Sequence, residues 1–151
     1  MQNIANLIRV TLSDDEFNSD DWNVYCDILA QVIDVNHTLD SLTFDDIRVG
    51  LENIDSNYKS DDFYFRFDGM EYRVIHDSEI WDIYVETIKN IVEECYSDVI
   101  RLEKIPSFTA ISIDWGVTAQ NASVDGYAQT FATYDGLDVG CVHGFNIYRT
   151  N

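Results

Sequence analysis

Hydrophobic side chains recur at helical spacing in two stretches of the first sixty residues. Asp20 and Asp21 can cap a helix whose apolar face would comprise Trp22, Tyr25, Ile28, Leu29, Val32 and Ile33. On that helix, Asp27 and Asp34 are expected to face away from the core. A second, shorter helix is predicted after Thr43, a favourable capping residue, with an apolar stripe of Phe44, Ile47, Leu51 and Ile54.

The longest helical pattern begins at Asp77 or Ser78 and continues to about Ile100. Its predicted buried face comprises Trp81, Val85, Ile88, Val92, Cys95 and Val99, with Tyr84 and Ile91 beside it. The opposite face is acidic, because offsets of 3, 7 and 14 residues nearly preserve direction on a helix. This acidic stripe would consist of Glu79, Asp82, Glu86 and Glu93.

The clearest strand signal surrounds Asp68-Gly69. An aromatic run at 63–67 precedes this dipeptide and an apolar, partly β-branched run at 70–75 follows it, which predicts a β-hairpin with a two-residue turn. A glycine-rich loop is expected before the last strand of the chain. The remaining predicted elements are strands at 108–114, 127–134 and 145–149 and a short helix at 115–124.

These elements predict an α+β fold in which acidic amphipathic helices pack on small antiparallel sheets around a central β-hairpin. Composition divides the chain into three regions. Residues 1–62 are acidic and mainly helical, residues 63–105 hold the hairpin and the long helix, and residues 106–151 form a small α/β region. We expect the three to form one compact unit.

Charge changes this picture more than any motif does. The chain has 28 acidic residues against nine Lys and Arg, a formal net charge of −19, and residues 13–62 alone hold 14 acids against two bases. Disorder is not expected, because 46% of the residues are hydrophobic and 13% are aromatic. Direct binding to nucleic acid or to an anionic membrane is disfavoured, since both require positive charge. The expected partner is therefore a basic protein.

Neither a leader nor a membrane span is predicted. The N-terminus lacks a cationic start, and no apolar run approaches the roughly 20 residues of a membrane-spanning helix. We expect a soluble protein of the cytoplasm, which would be the host cytoplasm if the chain is phage-encoded.

Catalytic and metal-binding motifs are absent from the sequence. The cysteines form no CxxC pair and are expected to be reduced and buried: Cys26, Cys95 and Cys141. The histidines show no metal-ligand spacing: His37, His76 and His143. An EF-hand register starting at Asp55 fails, because Ser60 replaces the required glycine and Arg66 the bidentate glutamate. The sequence therefore indicates no enzyme, no metal site and no cofactor.

Many carboxylates on folded elements could instead act together. Duplex DNA carries one negative charge per about 1.7 Å of its axis, and a rigid array of carboxylates could occupy a channel built for it. The candidate partner-binding, DNA-mimicking residues are Asp14, Asp15, Glu16, Asp20, Asp21, Asp27, Asp34, Asp45, Asp46, Glu52, Glu79, Asp82, Glu86 and Glu93.

Three segments of the C-terminal part of the chain form one pattern: Ile111-Ser112-Ile113-Asp114-Trp115-Gly116-Val117-Thr118-Ala119-Gln120-Asn121, Asp125-Gly126-Tyr127 and Tyr148-Arg149-Thr150-Asn151. This pattern resembles that of antirestriction proteins of the ArdA type. The hairpin and long helix from Phe63 to Tyr96 are similar to small acidic phage-encoded proteins. The resemblance implies a homodimeric DNA mimic that occupies the DNA groove of type I restriction enzymes. It implies that surface acids make the contact, with Asp114-Trp115 serving local architecture.

The leading hypothesis is therefore a DNA-mimic inhibitor of a host defence system, either a restriction-modification enzyme or a CRISPR effector. One alternative is an immunity protein that neutralises a basic nuclease toxin. Another is a divalent-ion-binding protein or enzyme that uses a carboxylate cluster.

Overall fold

The structure is a computed structural model and describes residues 2–12, 20–95 and 112–151. The chain forms two compact units, the first drawn from Met1–Glu79 and Ala128–Asn151 and the second from Ile80–Tyr127. The described elements are α1 (Gln2–Thr11), α2 (Trp22–Asn36), α3 (Phe44–Asn57), β1 (Asp62–Phe67), β2 (Met70–His76), α4 (Ile80–Cys95), α5 (Trp115–Ala122), α6 (Ala128–Phe131), β3 (Asp138–Val142) and β4 (Phe145–Arg149). Helices α4 and α5 belong to the second unit. The predicted α+β class is confirmed.

A four-stranded antiparallel sheet, in the order β1-β2-β4-β3, forms the centre of the first unit. The predicted hairpin is its β1–β2 pair, in register from Asp62 opposite Ile75 to Phe67 opposite Met70. Asp68 and Gly69 both have positive φ, 48° and 75°, as the tightest hairpin turns require. The turn chemistry that was visible in the sequence therefore sets the register.

Both edge strands of the sheet are blocked by an amide side chain. On β1, the backbone N–H of Arg66 donates to Asn53 Oδ1 at 2.7 Å. On β3, Gln31 Nε2 donates to the carbonyl oxygen of Val139 at 2.8 Å, beside a register shift between Asp138 and Gly140. Capped or bulged edges do not readily accept another strand.

Helices α1, α2 and α3 form a hydrophobic core with one face of the sheet. Phe63, Phe65 and Phe67 of β1 point into this core, as the alternation along the strand requires. Helix α1, which the sequence did not predict, contributes Ile4, Ala5 and Ile8. The core positions the acidic outer faces of α2 and α3.

Helix α4 buries a stripe that matches the predicted one only at Ile88 and the neighbouring Tyr84. Ile80, Tyr84 and Ile88 are its buried residues, whereas Trp81 and Ile91 are 38% and 39% exposed and Cys95 is exposed. The helix is apolar over more than half of its circumference, so its spacing alone could not decide which part is covered. It also begins later than predicted, because Asp77 and Ser78 form the preceding turn. The predicted continuation over 96–100 lies outside the described residues.

The C-terminal third contains one confirmed strand, one confirmed helix and three corrections. Helix α5 and strand β4 occupy the predicted stretches. Residues 127–134 are wrongly predicted as a strand, because they contain α6 and a turn, and part of the expected glycine-rich loop is strand β3. Ser112–Asp114 is not a strand, while 108–111 lie outside the described residues. Asp114 Oδ1 instead accepts the Val117 N–H at 3.0 Å and caps α5, confirming its local structural role.

Thr43 caps α3 as predicted and forms a complete capping box with Asp46. The Thr43 hydroxyl accepts the Asp46 N–H at 3.2 Å, and Asp46 Oδ2 accepts the Thr43 N–H at 2.8 Å. We expect Thr43→Ala to lower the free energy of unfolding by about 1 kcal/mol. Urea denaturation measures this, and Thr43→Ser should recover most of the loss. Equal destabilisation by Ser and Ala would contradict the capping role.

Within the described part of the chain, no helix combines the length and the apolar character needed to cross a membrane.

Candidate partner-binding surface

The carboxylates of the described residues all lie at or near the surface. No acidic side chain in 2–12, 20–95 and 112–151 is buried, and only four are half-buried: Asp21, Asp27, Asp62 and Glu71. A surface carboxylate is less available to a partner where an internal cation or donor already engages it. Exposure and internal pairing together therefore decide which predicted residues remain candidates.

The predicted cluster before α2 is described only in part. Asp14, Asp15 and Glu16 lie outside the described residues. Asp20 is exposed, and Asp21 occupies the N-cap position of α2 without a side-chain capping hydrogen bond. The predicted helix start is confirmed, but the predicted cap by the Asp21 carboxylate is wrong. Its backbone carbonyl nonetheless accepts the first helical N–H groups, from Val24 and Tyr25.

Asp27 does not face away from the protein, so that prediction is wrong. Its Oδ1 lies 2.5 Å from Arg9 of α1, and its Oδ2 lies 2.6 Å from His143 Nε2 in the β3–β4 turn. The side chain is 24% exposed. Asp27 thus joins three segments of the first unit and is occupied by internal partners. Asp34, on the same helix, is exposed as predicted.

The acids of α3 are exposed but partly neutralised. Arg48 NH1 lies 2.8 Å from Glu52 Oε1, and Arg48 NH2 lies 3.7 Å from Asp45 Oδ1. Asp46 belongs to the capping box, where the hydrogen bonds from Thr43 lower the pKa of its carboxyl. Asp46 therefore stays ionised at neutral pH while serving the helix.

Three of the four predicted stripe residues share one face of α4. Asp82, Glu86 and Glu93 are all exposed and fall within about 40° of one another around the helix. From the rise per residue of an α-helix, Asp82 and Glu86 lie about 6 Å apart along the helix axis, and Glu86 and Glu93 lie about 10 Å apart. Glu79 is exposed but precedes the helix, so it is not part of this stripe. Glu86 lies 3.6 Å from Lys89.

Sequence reasoning missed several exposed acids. Within the described residues, six of them form no ion pair or side-chain hydrogen bond, although they were not among the candidates: Asp40, Asp55, Asp61, Glu94, Asp125 and Asp138. A signal was present for Asp55, which lies three residues after Glu52 on the polar face of α3. Asp40 and Asp125 lie in short 3-10 turns, where no periodicity marks a face.

Most cations of the described residues are already engaged. Arg73 forms a two-pronged contact with Asp62 at 2.9 and 2.8 Å. Burial alone would lower the pKa of Arg73, but the hydrogen bonds and charge of Asp62 outweigh it and raise that pKa. Arg66 pairs with Glu71 at 3.2 Å, and the Arg149 guanidinium lies 3.6 Å from the centre of the Tyr134 ring. Little positive charge therefore remains to offset the exposed carboxylates.

The thiols and imidazoles do not assemble into a site. Cys26 is buried as predicted, but Cys95 and Cys141 are exposed, so the prediction of three buried thiols is wrong for two of them. Desolvation, followed by the charge of Asp77, raises the pKa of Cys141 and keeps its thiol protonated at neutral pH. Among the described residues, no three His, Cys, Asp or Glu side chains are grouped so that they could hold a metal ion.

Comparisons with protein-family models, curated proteins and solved structures gave no match to this chain.

Proposed function

We propose that this protein is a DNA-mimic inhibitor of a host DNA-binding defence system, a restriction-modification enzyme or a CRISPR effector. One observation carries the proposal: most described acids are exposed, whereas most described cations are engaged in internal pairs. The described residues therefore present a net negative charge outward on a folded scaffold. Such a surface presents to a basic channel the same negative charge that the channel meets on DNA.

Spacing on α4 supports this proposal. Phosphates along one DNA strand lie several ångströms apart, and Asp82, Glu86 and Glu93 are spaced comparably along one helix face. Helical carboxylates are held by a rigid backbone, so less ordering is needed on binding than for a disordered acidic tail. Binding would pair these carboxylates with the cations of the basic channel, an attraction that salt screens.

The test begins with the partner. The full chain, immobilised, should capture a DNA-binding protein from host lysate at low salt and release it as salt rises. The purified partner is then bound to a fluorescent DNA duplex and titrated with the chain, and the release of DNA is followed by anisotropy. Bovine serum albumin, another acidic protein, serves as a control for net charge alone. Capture without DNA release would contradict mimicry, and a nuclease toxin held away from its DNA channel would favour the immunity-protein alternative.

A further inference from the structure

A groove in the first unit lies between the first half of α3 and the β1–β2 turn. Its volume is about 410 Å³, at the lower end of the range for ligand pockets. Apolar groups line much of it: Val49, Gly50, Phe67 and Gly69. Val49 is 54% exposed, which is high for an aliphatic side chain beside a groove.

Close packing of α3 on β1 shapes the groove. A Cβ atom at Gly50 would lie 2.6 Å from Phe67 Cδ2 and 3.2 Å from Leu29 Cδ1, so a larger residue would displace this contact. On one side, Asn53 holds the Arg66 backbone at 2.7 Å. The wall between helix and strand is therefore held by the packing of Phe67 on Gly50 and by the Asn53–Arg66 hydrogen bond.

Three carboxylates complete the lining: Asp45, Asp46 and Asp68. Arg66 also lines the groove, but its guanidinium is bonded to Glu71 across the hairpin at 3.2 Å. Arg48 lies closer to Glu52, at 2.8 Å, than to Asp45, at 3.7 Å. Asp68 Oδ2 lies 3.3 Å from His37 Nδ1. Asp45 and Asp68 are thus weakly compensated from within the protein, whereas Asp46 is engaged in the capping box.

An apolar lining with an acidic rim suits a side chain that is apolar along its stem and cationic at its tip. A purely apolar side chain would desolvate the carboxylates, and a small cation would leave the exposed Val49 uncovered. Arginine satisfies both parts, because its methylenes cover apolar surface and its weakly hydrated guanidinium forms paired bonds to carboxylates.

We propose that this groove receives an arginine side chain of the basic partner, with its stem on Val49 and its guanidinium at Asp45 and Asp68. The inference rests on the proposed function, which supplies the basic partner, and adds to it a defined anchoring position. Such an anchor would give specificity for one protein surface beyond the general attraction of charge.

The probe is N-acetyl-arginine amide, titrated into the isotopically labelled full chain and followed by the backbone NMR signals. We expect saturable shifts at Val49, Gly50 and Gly69, and none with N-acetyl-citrulline amide, which has a similar shape without the charge. Equal binding of N-acetyl-lysine amide would overturn the choice of arginine. Shifts spread over acids throughout the chain would overturn the groove as a site.

Matched variants separate the two parts of the groove. Together, Asp45→Asn and Asp68→Asn should weaken probe binding about fivefold, whereas Asp55→Asn, outside the groove on the same helix, should leave it unchanged. Val49→Ser should weaken binding about threefold, and Val35→Ser, at a similar exposure of 52%, should not. If loss of the contact with His37 makes the Asp68 variant unstable, the comparison of Val49→Ser with Val35→Ser still tests the groove. Equal losses in the control variants would overturn the proposal.

The groove and the proposed function can fail separately. If the chain displaces DNA from its partner but the probe does not bind at the groove, the anchor is wrong and mimicry stands. If the probe binds but no DNA-binding partner is displaced, the groove stands as an arginine site and mimicry is wrong.

Discussion

Replacing Asp40, Asp55, Asp82 and Glu93 together by their amides is expected to weaken binding to the basic partner about a hundredfold at low salt. These side chains are exposed and form no ion pair or hydrogen bond with another described side chain, so their removal disturbs no internal contact there. At somewhat under 1 kcal/mol for each charge, four substitutions total about 3 kcal/mol. Isothermal titration calorimetry against the captured partner measures the change.

Salt dependence distinguishes charge mimicry from a loss of shape. If each of the four carboxylates replaces a phosphate in the channel, the amide variant should show a shallower dependence of affinity on salt. The matched control keeps every charge, with Asp→Glu at 40, 55 and 82 and Glu→Asp at 93, and should bind nearly as well as the parent. Unchanged affinity in the amide variant would remove these residues from the contact.

Two double variants, one in each unit, show which unit the partner contacts. Asp40 and Asp55 belong to the first unit, and Asp82 and Glu93 belong to the second. If one pair of amides accounts for the whole loss, the partner binds that unit alone. Comparable losses of affinity for both pairs would mean that the partner contacts acidic residues of both units.

Asp27→Asn is expected to lower the free energy of unfolding by about 2 kcal/mol and to leave partner binding unchanged. The substitution removes a charge that lies 2.5 Å from Arg9 and 2.6 Å from His143, and hydrogen bonds to a charged group are worth about 1.5–3 kcal/mol. Asp27 is 24% exposed, which places the loss in the middle of that range. Urea denaturation measures the free energy of unfolding, and isothermal titration calorimetry measures partner binding.

Asp55→Asn provides the reciprocal control for Asp27. It should leave stability within about 0.5 kcal/mol of the parent and should weaken partner binding, the opposite of the expectation for Asp27→Asn. If Asp27→Asn weakened binding without lowering stability, Asp27 would belong to the contact surface as the sequence first predicted.

Local chemistry made part of this fold predictable. Asp68-Gly69 fixes a two-residue turn, and Thr43 forms the capping box that starts α3. Each signal depends on residues within four positions, where sequence and geometry are tightly linked. The short helix α5 was predictable for the same reason, because Asp114 caps it from one position before its start.

The missed features depend on contacts between distant residues. Asp27 looks like an outward-facing acid on its helix, but Arg9 lies 18 positions away and His143 lies 116 positions away. Strand β3 lies in a stretch rich in glycine and forms because β4 supplies its hydrogen bonds. The buried stripe of α4 depends on what covers it, including Tyr127, whose ring centre lies 4.9 Å from that of Tyr84. Helical spacing carries no information on such contacts.

Candidate acids were predictable as a class but not one by one. The described part of the chain presents its carboxylates at or near the surface, as the net charge of −19 predicts. Which acids stay unengaged depends on where each arginine and lysine is placed, as the pairs of Arg48 and Arg73 show. Asp40 and Asp55 became candidates only once these pairs were known.

The most direct test of the proposed function is a titration in which chain and DNA compete for the captured partner at several salt concentrations. DNA mimicry predicts that one chain displaces one duplex, whatever the DNA sequence. It also predicts that the affinities of the chain and of DNA for the partner both fall steeply as salt rises. A ternary complex that retains DNA, or a chain affinity independent of salt, would contradict it.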